Sequence, residues 1–430
     1  MAPARFANRT IWSLADQALS STTNFGITIV IARSFSPGAL GSFALAYAYY
    51  IALIQLSRCF TSEPLMVRFS GSRRDAWHGA TLHAASTAVT LGCLGTAVGL
   101  AVAGLTDGAL RSSFLVVSAF LPLLLLQDLW RFGFFAAGRP RAAAANDAVW
   151  VVAMAVLVVV AHVDGSPTLT WLVFAWAFSG AMAGLFGVFQ VHSRPRAGHV
   201  RGWIATHRDL GIRFAGEYLV YSAAVQATLY IVGAVAGVAA VGSIRAAQTL
   251  VGPVSLVFLG VSFGAVPEGV RIAARSPGRL PRFVTTLSLC LAGVSLMWGA
   301  FLLAIPDGVG EAILGDSWRS ARNLMVPIVV AVIAEGLNVG PWVGLRALAA
   351  AGRSLRGRTI IAAVTMVAGA AGSASMGAWG AAAGFAAGSV VATGVWTWQF
   401  LAANATHDRA SPRLDSRAVR PDATISGATD

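Results

Sequence analysis

Residues 169–191 read LTWLVFAWAFSGAMAGLFGVFQV, an uncharged run that gives way to a segment holding Arg194, Arg196, Arg201, Arg208 and Arg213. At 1.5 Å per residue such a run makes a helix of about 34 Å, enough to cross a hydrocarbon core of about 30 Å. Stretches of the same kind recur in both directions through the 430 residues. The chain is 56% hydrophobic and 11% charged, with a mean hydropathy of +0.69, whereas soluble domains carry about 25% charged residues. These figures exclude a soluble enzyme and predict an all-α polytopic membrane protein.

Twelve spans are expected, at 11–32, 41–62, 80–104, 114–135, 147–163, 169–191, 213–235, 239–265, 283–305, 323–346, 359–376 and 378–401. The gaps between them are too short for a soluble domain of even about 50 residues, which weighs against catalysis in a large loop. Arg5 and Arg9 precede a full-length first span without an evident cleavage site, so this segment is expected to remain. The tail, 402–430, is polar and expected to be disordered.

All 31 basic residues are Arg. A net charge of +13 would suggest nucleic acid in a soluble protein. Here the charge is sorted by side instead, so no nucleic-acid partner is expected. With the N-terminus inside, 25 arginines fall in inner connections and tails, and only Arg33, Arg111, Arg319 and Arg322 fall outside. This bias supports both the span count and an orientation with both termini cytoplasmic. Cys59, Cys93 and Cys290 lie far apart without C-x-x-C spacing or nearby His, so no metal or cofactor is expected, and burial as small hydrophobes is.

The chain repeats itself in order. Asp16 matches Glu217 and Gly41-Ser42 matches Gly242-Ser243, both at an offset of 201. Pro64-x-x-Val67-Arg68 matches Pro267-x-x-Val270-Arg271, and Ala136-Ala137-Gly138-Arg139 matches Ala350-Ala351-Gly352-Arg353. Two pseudo-symmetric six-helix lobes are therefore expected, at 1–191 and 213–401, joined by the basic linker 192–212. Parallel repeats are a transporter architecture with a site between the halves.

Charge at bilayer depth costs at least about 2.5–3.5 kcal/mol, so intramembrane polar residues should face a cavity or a partner. Asp16, Ser20, Thr23, Asn24 and Thr28 form one stripe on span 1, and Glu217, Tyr221 and Thr228 form another on span 7, with Ser222, Gln226 and Tyr230 adjacent. Arg58 on span 2 and Arg245 on span 8 offer forked donors suited to phosphate, with snorkelling to the interface the alternative for Arg58. Glu335, mid-span in helix 10, is expected either to couple transport to an ion or to pair with an Arg on another helix. Asp128 is expected to pair with Arg131 three residues on. Glu63 and Asp147 read as interfacial or capping residues near span ends. The chain lacks the P-loop, G-x-S-x-G and H-E-x-x-H motifs, and an enzyme is not expected.

The run Ala15-Asp16-Gln17-Ala18-Leu19-Ser20-Ser21-x-x-Asn24-Phe25, followed by Ala32-Arg33, Gly41-Ser42-Phe43-Ala44-Leu45-Ala46-Tyr47 and Ser62-Glu63-Pro64-Leu65, resembles the polysaccharide-export branch of the multidrug/oligosaccharidyl-lipid/polysaccharide flippase superfamily. Leu314-Gly315-Asp316-x-Trp318-x-x-Ala321 before span 10 is similar to a segment common there. The resemblance implies a Wzx-like flippase of the bacterial cytoplasmic membrane. It would carry polyprenyl-pyrophosphate-linked oligosaccharide to the outer leaflet, with a glycan polymerase or glycosyltransferase as partner. It implies cavity arginines on the pyrophosphate, for which Arg58 and Arg245 are the candidates by position. The glycan would rest on Asn24, Tyr221 and Gln226, and Glu335, Asp16 or Glu217 would couple the motion to an ion. The alternatives are an ion-coupled drug or metabolite antiporter and, from another class, a polysaccharide polymerase using Asp307, Glu311 and Asp316.

Overall fold

The computed structural model describes residues 2–418 apart from 71–72, 164, 166, 193–194, 196 and 220–222. Its elements are α1 (Ala2–Ser34), α2 (Pro37–Phe60), α3 (Ser62–Phe69), α4 (Arg74–Gly104), α5 (Gly108–Ala136), α6 (Pro140–Val163), α7 (Leu169–Val191), α8 (Val200–Tyr218), α9 (Ala224–Ala236), α10 (Val238–Arg275), α11 (Leu280–Ala304), α12 (Asp307–Leu314), α13 (Ser317–Asn323), α14 (Met325–Ala347) and α15 (Ala351–Ala418). No strand occurs among the described residues. Nine helical segments among them are long and apolar enough to cross a bilayer. α15 leaves helical conformation at Met376 and Gly377. There it folds back, setting Gly372 against Gly380 and Gly384 against Ala368, so that it supplies two crossings. α1, and α9 with its 13 residues, are not among those nine; counted as crossings they bring the total to the twelve that the sequence predicts.

Local chemistry explains the boundaries. Ser36 caps α2 by accepting from the Ala39 amide, with Pro37 pre-set for the first turn. Thr168 caps α7 by accepting from the Trp171 amide at 3.2 Å. The expected span 213–235 takes in the end of α8 and all of α9, and 220–222 between them lie outside the described residues. α8 begins at Val200, so the basic segment after α7 is itself largely helical.

The chain forms two compact units. One comprises Met1–Gly252, Phe301–Ile328 and Thr365–Phe385; the other comprises Pro253–Ala300, Val329–Val364 and Ala386–Asp430. In the first, indole N–H groups tie helices together through backbone carbonyls. Trp77 donates to Gly133 (2.8 Å), Trp130 to Gly184 (2.9 Å), Trp150 to Trp176 (3.0 Å) and Trp203 to Phe60 (2.8 Å). Each indole is buried, and its N–H needs such a partner where water is excluded. The repeat-related glycines also meet here. A Cβ on Gly41 would overlap the Val238 carbonyl, and one on Gly242 would overlap the Pro37 carbonyl. Both pairs are related by the 201-residue offset, so the contact has two-fold character.

In the second unit, α14 presents Gly336, Gly340 and Gly344 at four-residue spacing to Leu291, Ser288 and Val284 of α11. Ser288 Oγ donates to the Leu337 carbonyl at 2.8 Å across this seam. Small residues at this spacing let helix backbones approach closely in lipid. Phe400, Trp396, Leu345 and Leu280 fill the adjoining core.

Candidate functional site

The first unit gathers five charged side chains from four helices, three buried carboxylates and two partly exposed arginines. Arg58 of α2 grips Asp128 of α5 through both arms of its fork, Nε to Oδ2 at 2.8 Å and Nη2 to Oδ1 at 2.6 Å. Its remaining Nη1 donates to Gln55 at 2.6 Å, and its guanidinium lies 4.9 Å from the Phe132 ring centroid. One turn further along α5, Arg131 donates to Asp16 of α1 at 2.6 and 3.2 Å. Asp147 of α6 stands 3.2 Å from Arg131 Nε. That Nε hydrogen is aimed at Asp16, so the Asp147 contact is charge to charge. Gln127 donates to Asp147 (2.7 Å) and to Asn146 (3.2 Å), and Asn146 donates to the Ala183 carbonyl (2.8 Å) and Gln190 (3.0 Å). Two cations thus face three carboxylates, and Asp16 Oδ1 makes no hydrogen bond among the described residues.

Three expectations are corrected here. Asp128 does not pair with Arg131, because the bidentate geometry offered by Arg58 from a facing helix suits a carboxylate better than a neighbour on the same helix surface. Asp147 is not a cap: it is buried inside α6, where the Arg131 charge holds it. Cys93 and Cys290 lie on exposed helix faces, and only Cys59 is buried. Arg131 itself, counted from sequence as a connection charge, is the hub of the network. The signal that could have found it is the pairing of polar doublets, Gln127-Asp128 and Asn146-Asp147, deep in apolar helices.

The second constellation is aromatic. Trp176 of α7 is fully buried and edge-on to Phe43, Tyr47 and Tyr50 of α2, at 6.0, 5.6 and 5.2 Å between centroids. Its Nε1 donates to Asn24 Oδ1 at 3.1 Å, and Asn24 returns its amide to the Ser20 carbonyl. Arg245 of α10 lies over the Tyr47 ring at 5.3 Å. Its buried Nε makes no hydrogen bond among the described residues. This is a cation held by a ring face rather than by a carboxylate.

The structure therefore brings Asn24 and Arg245 to one aromatic cluster, and Asp16 and Arg58 to one charge network. Gln226 is half-buried on α9. Glu335 lies in the second unit on an exposed face of α14, in no ion pair among the described residues. One turn on, Asn338 donates weakly to the Ser389 carbonyl at 3.4 Å, and its buried Oδ1 is unpartnered. Tyr221, Ser222 and the side chain of Glu217 lie outside the described residues.

No family model and no curated protein matches the sequence. Among solved structures the chain is similar to a multidrug resistance MATE family transporter of the MOP superfamily in an inward-facing conformation. The TM-score is 0.68 at 14% identity, covering 92% of this chain and 95% of that one. It is similar to the lipid II flippase MurJ in an inward closed conformation, with a TM-score of 0.65 at 9% identity over 93% and 90% of the two chains. It is similar also to a MOP superfamily transporter from Pyrococcus furiosus, at 0.56 and 13% over 93% and 96%. The chain is a multi-pass membrane protein with the twelve-helix, two-lobe fold of MOP superfamily transporters and flippases.

Proposed function

We propose that this protein is a flippase that moves polyprenyl-pyrophosphate-linked oligosaccharide across the bacterial cytoplasmic membrane by alternating access, supplying surface polysaccharide assembly. The observation that carries this reading is the Arg245–Tyr47–Trp176–Asn24 cluster. A guanidinium with an unspent donor offers a fork to phosphate, and the partly exposed Tyr47 beside it, backed by the buried Trp176, offers a ring to the apolar face of a sugar. Arg58 has its fork filled by Asp128, so the pyrophosphate falls first to Arg245, and Arg58 joins only if Asp128 lets go. Gln226 and Tyr221, on the polar side that the sequence gives the adjoining span, are the further candidates for the glycan. Asp16 is the favoured coupling group, because Arg131 is shared between it and Asp147 and a cation or proton arriving there would redistribute the pair. Glu335 and Glu217 are the further candidates. The arginine bias supports cytoplasmic termini, and the product would pass to a glycan polymerase or glycosyltransferase. The protein forms and breaks no covalent bond in this reading.

An ion-coupled drug or metabolite antiporter is the second reading, favoured by the likeness to MATE transporters and by the buried carboxylates. In a strain lacking the protein, lipid-linked sugars should accumulate on the inner leaflet, shielded from external glycosidase. Arg245→Ala should fail to restore export while reaching the membrane at normal level. Drug sensitivity with normal surface glycan would instead establish the antiporter, and normal export by Arg245→Ala would remove that residue from the mechanism.

A further inference from the structure

We infer that helix α8 is a binding surface for anionic phospholipid of the surrounding bilayer. Every fourth residue of its inner stripe is buried. Trp203 stacks on Phe69 at 6.1 Å and on His207 at 3.9 Å, and Gly211 abuts the Phe60 ring. Arg68 fastens the helix from the α3 side, donating to the Thr206 carbonyl at 2.7 Å and to both oxygens of Asp209 at 2.8 and 3.0 Å. The adjoining face is free. At 100° per residue, Ile204, Arg208, Arg201 and Ile212 fall within about 80° of one another, and all four are exposed. No ion pair engages Arg201 or Arg208 among the described residues. Asp209, the nearest acid on the helix, is already neutralised by Arg68.

A face that mixes bare isoleucines with bare arginines fits neither water nor a purely polar partner. It fits the boundary where acyl chains meet headgroups: the isoleucines enter the chains and the guanidiniums rise to phosphate. Val67 of α3 and Arg73 and Arg74 at the start of α4 are exposed as well. Arg201 and Arg208 are seven residues apart, about 10 Å along the axis, which seats two headgroups rather than one. The inference rests on α8 alone and is independent of what the protein transports.

The test uses the full chain in vesicles of phosphatidylcholine with a minority of phosphatidylglycerol, extracted in mild detergent, with the retained lipid counted by mass spectrometry. The wild type should hold phosphatidylglycerol in preference to phosphatidylcholine. A guanidinium near an anionic surface contributes about fivefold, so Arg201→Gln/Arg208→Gln should lose roughly 5- to 25-fold of that preference at an unchanged melting temperature. Arg275→Gln/Arg279→Gln removes the same charge from another exposed segment and should keep the preference. Equal loss in both variants, or no loss in the first, overturns the inference. So does displacement of the retained lipid by inorganic phosphate, which would mark a phosphate site rather than a lipid seat.

Discussion

Arg131 is one cation serving Asp16 and Asp147, beside Asp128 that Arg58 already holds. Removing one member of a buried pair is costly because the other is left uncompensated. Arg131→Met leaves both Asp16 and Asp147 without a counter-charge, so it should destabilise the detergent-solubilised protein by about 3–5 kcal/mol. Asp16→Asn leaves Arg131 its Asp147 partner and should lower the melting temperature far less, while stopping transport if Asp16 is the coupling group. A similar melting temperature for the two variants would place the stabilising charge elsewhere. Intramembrane Asp16, Arg58 and Arg245 were legible in the sequence because charge in an apolar run is conspicuous. Their partners were not. The pairs join positions 70 and 115 residues apart, and helical periodicity speaks only of neighbours within two turns. It pointed to Asp128 with Arg131, a contact the three-dimensional fold outbid.

The α12–α13 hairpin shows why a motif is kept when its letters alone do not say. Gly315 takes φ +54°, and a Cβ on it would overlap the Arg33 carbonyl at the end of α1. Ser317 Oγ donates to the Phe35 carbonyl at 3.4 Å, buried Trp318 donates to Asp307 at 2.9 Å, and Arg322 reaches the Ile305 carbonyl at 3.0 Å. Positive φ with ψ −136° is a region open in practice to glycine, and holding another residue there costs of order 1–3 kcal/mol. Gly315→Ala should therefore loosen this hairpin from α1 and speed hydrogen exchange over 306–323, leaving α4–α7 unaffected. Unchanged exchange would mean that the hairpin is not held there. The sequence showed Leu314-Gly315-Asp316-x-Trp318 as a resemblance, yet its reason lies 282 residues upstream of Ser317, at Phe35. Span ends were more legible. Pro37, Thr168 and Gly377 punctuate helices by local chemistry, and all fall where apolar runs stop.

At the level of the whole chain, the twelve spans were readable from hydropathy because every crossing must satisfy its own backbone in lipid. Of the repeat expected from the sequence, one matched pair of residues meets in space. Gly41 and Gly242, matched by offset, turn out to touch, and Pro37 and Val238 supply the carbonyls between them. Gly41→Ala should cost about 1–3 kcal/mol against the conformation that holds this contact, shifting the population away from it. Gly242→Ala should act in the same direction and by a similar amount, since each meets the other's neighbour. Melting temperature and transport rate check this: if both are unchanged in both variants, the contact does not belong to the resting protein. A further consequence concerns inheritance. A methyl group gained by either helix must be answered on its counterpart, so two stretches of the gene 201 codons apart cannot drift independently here.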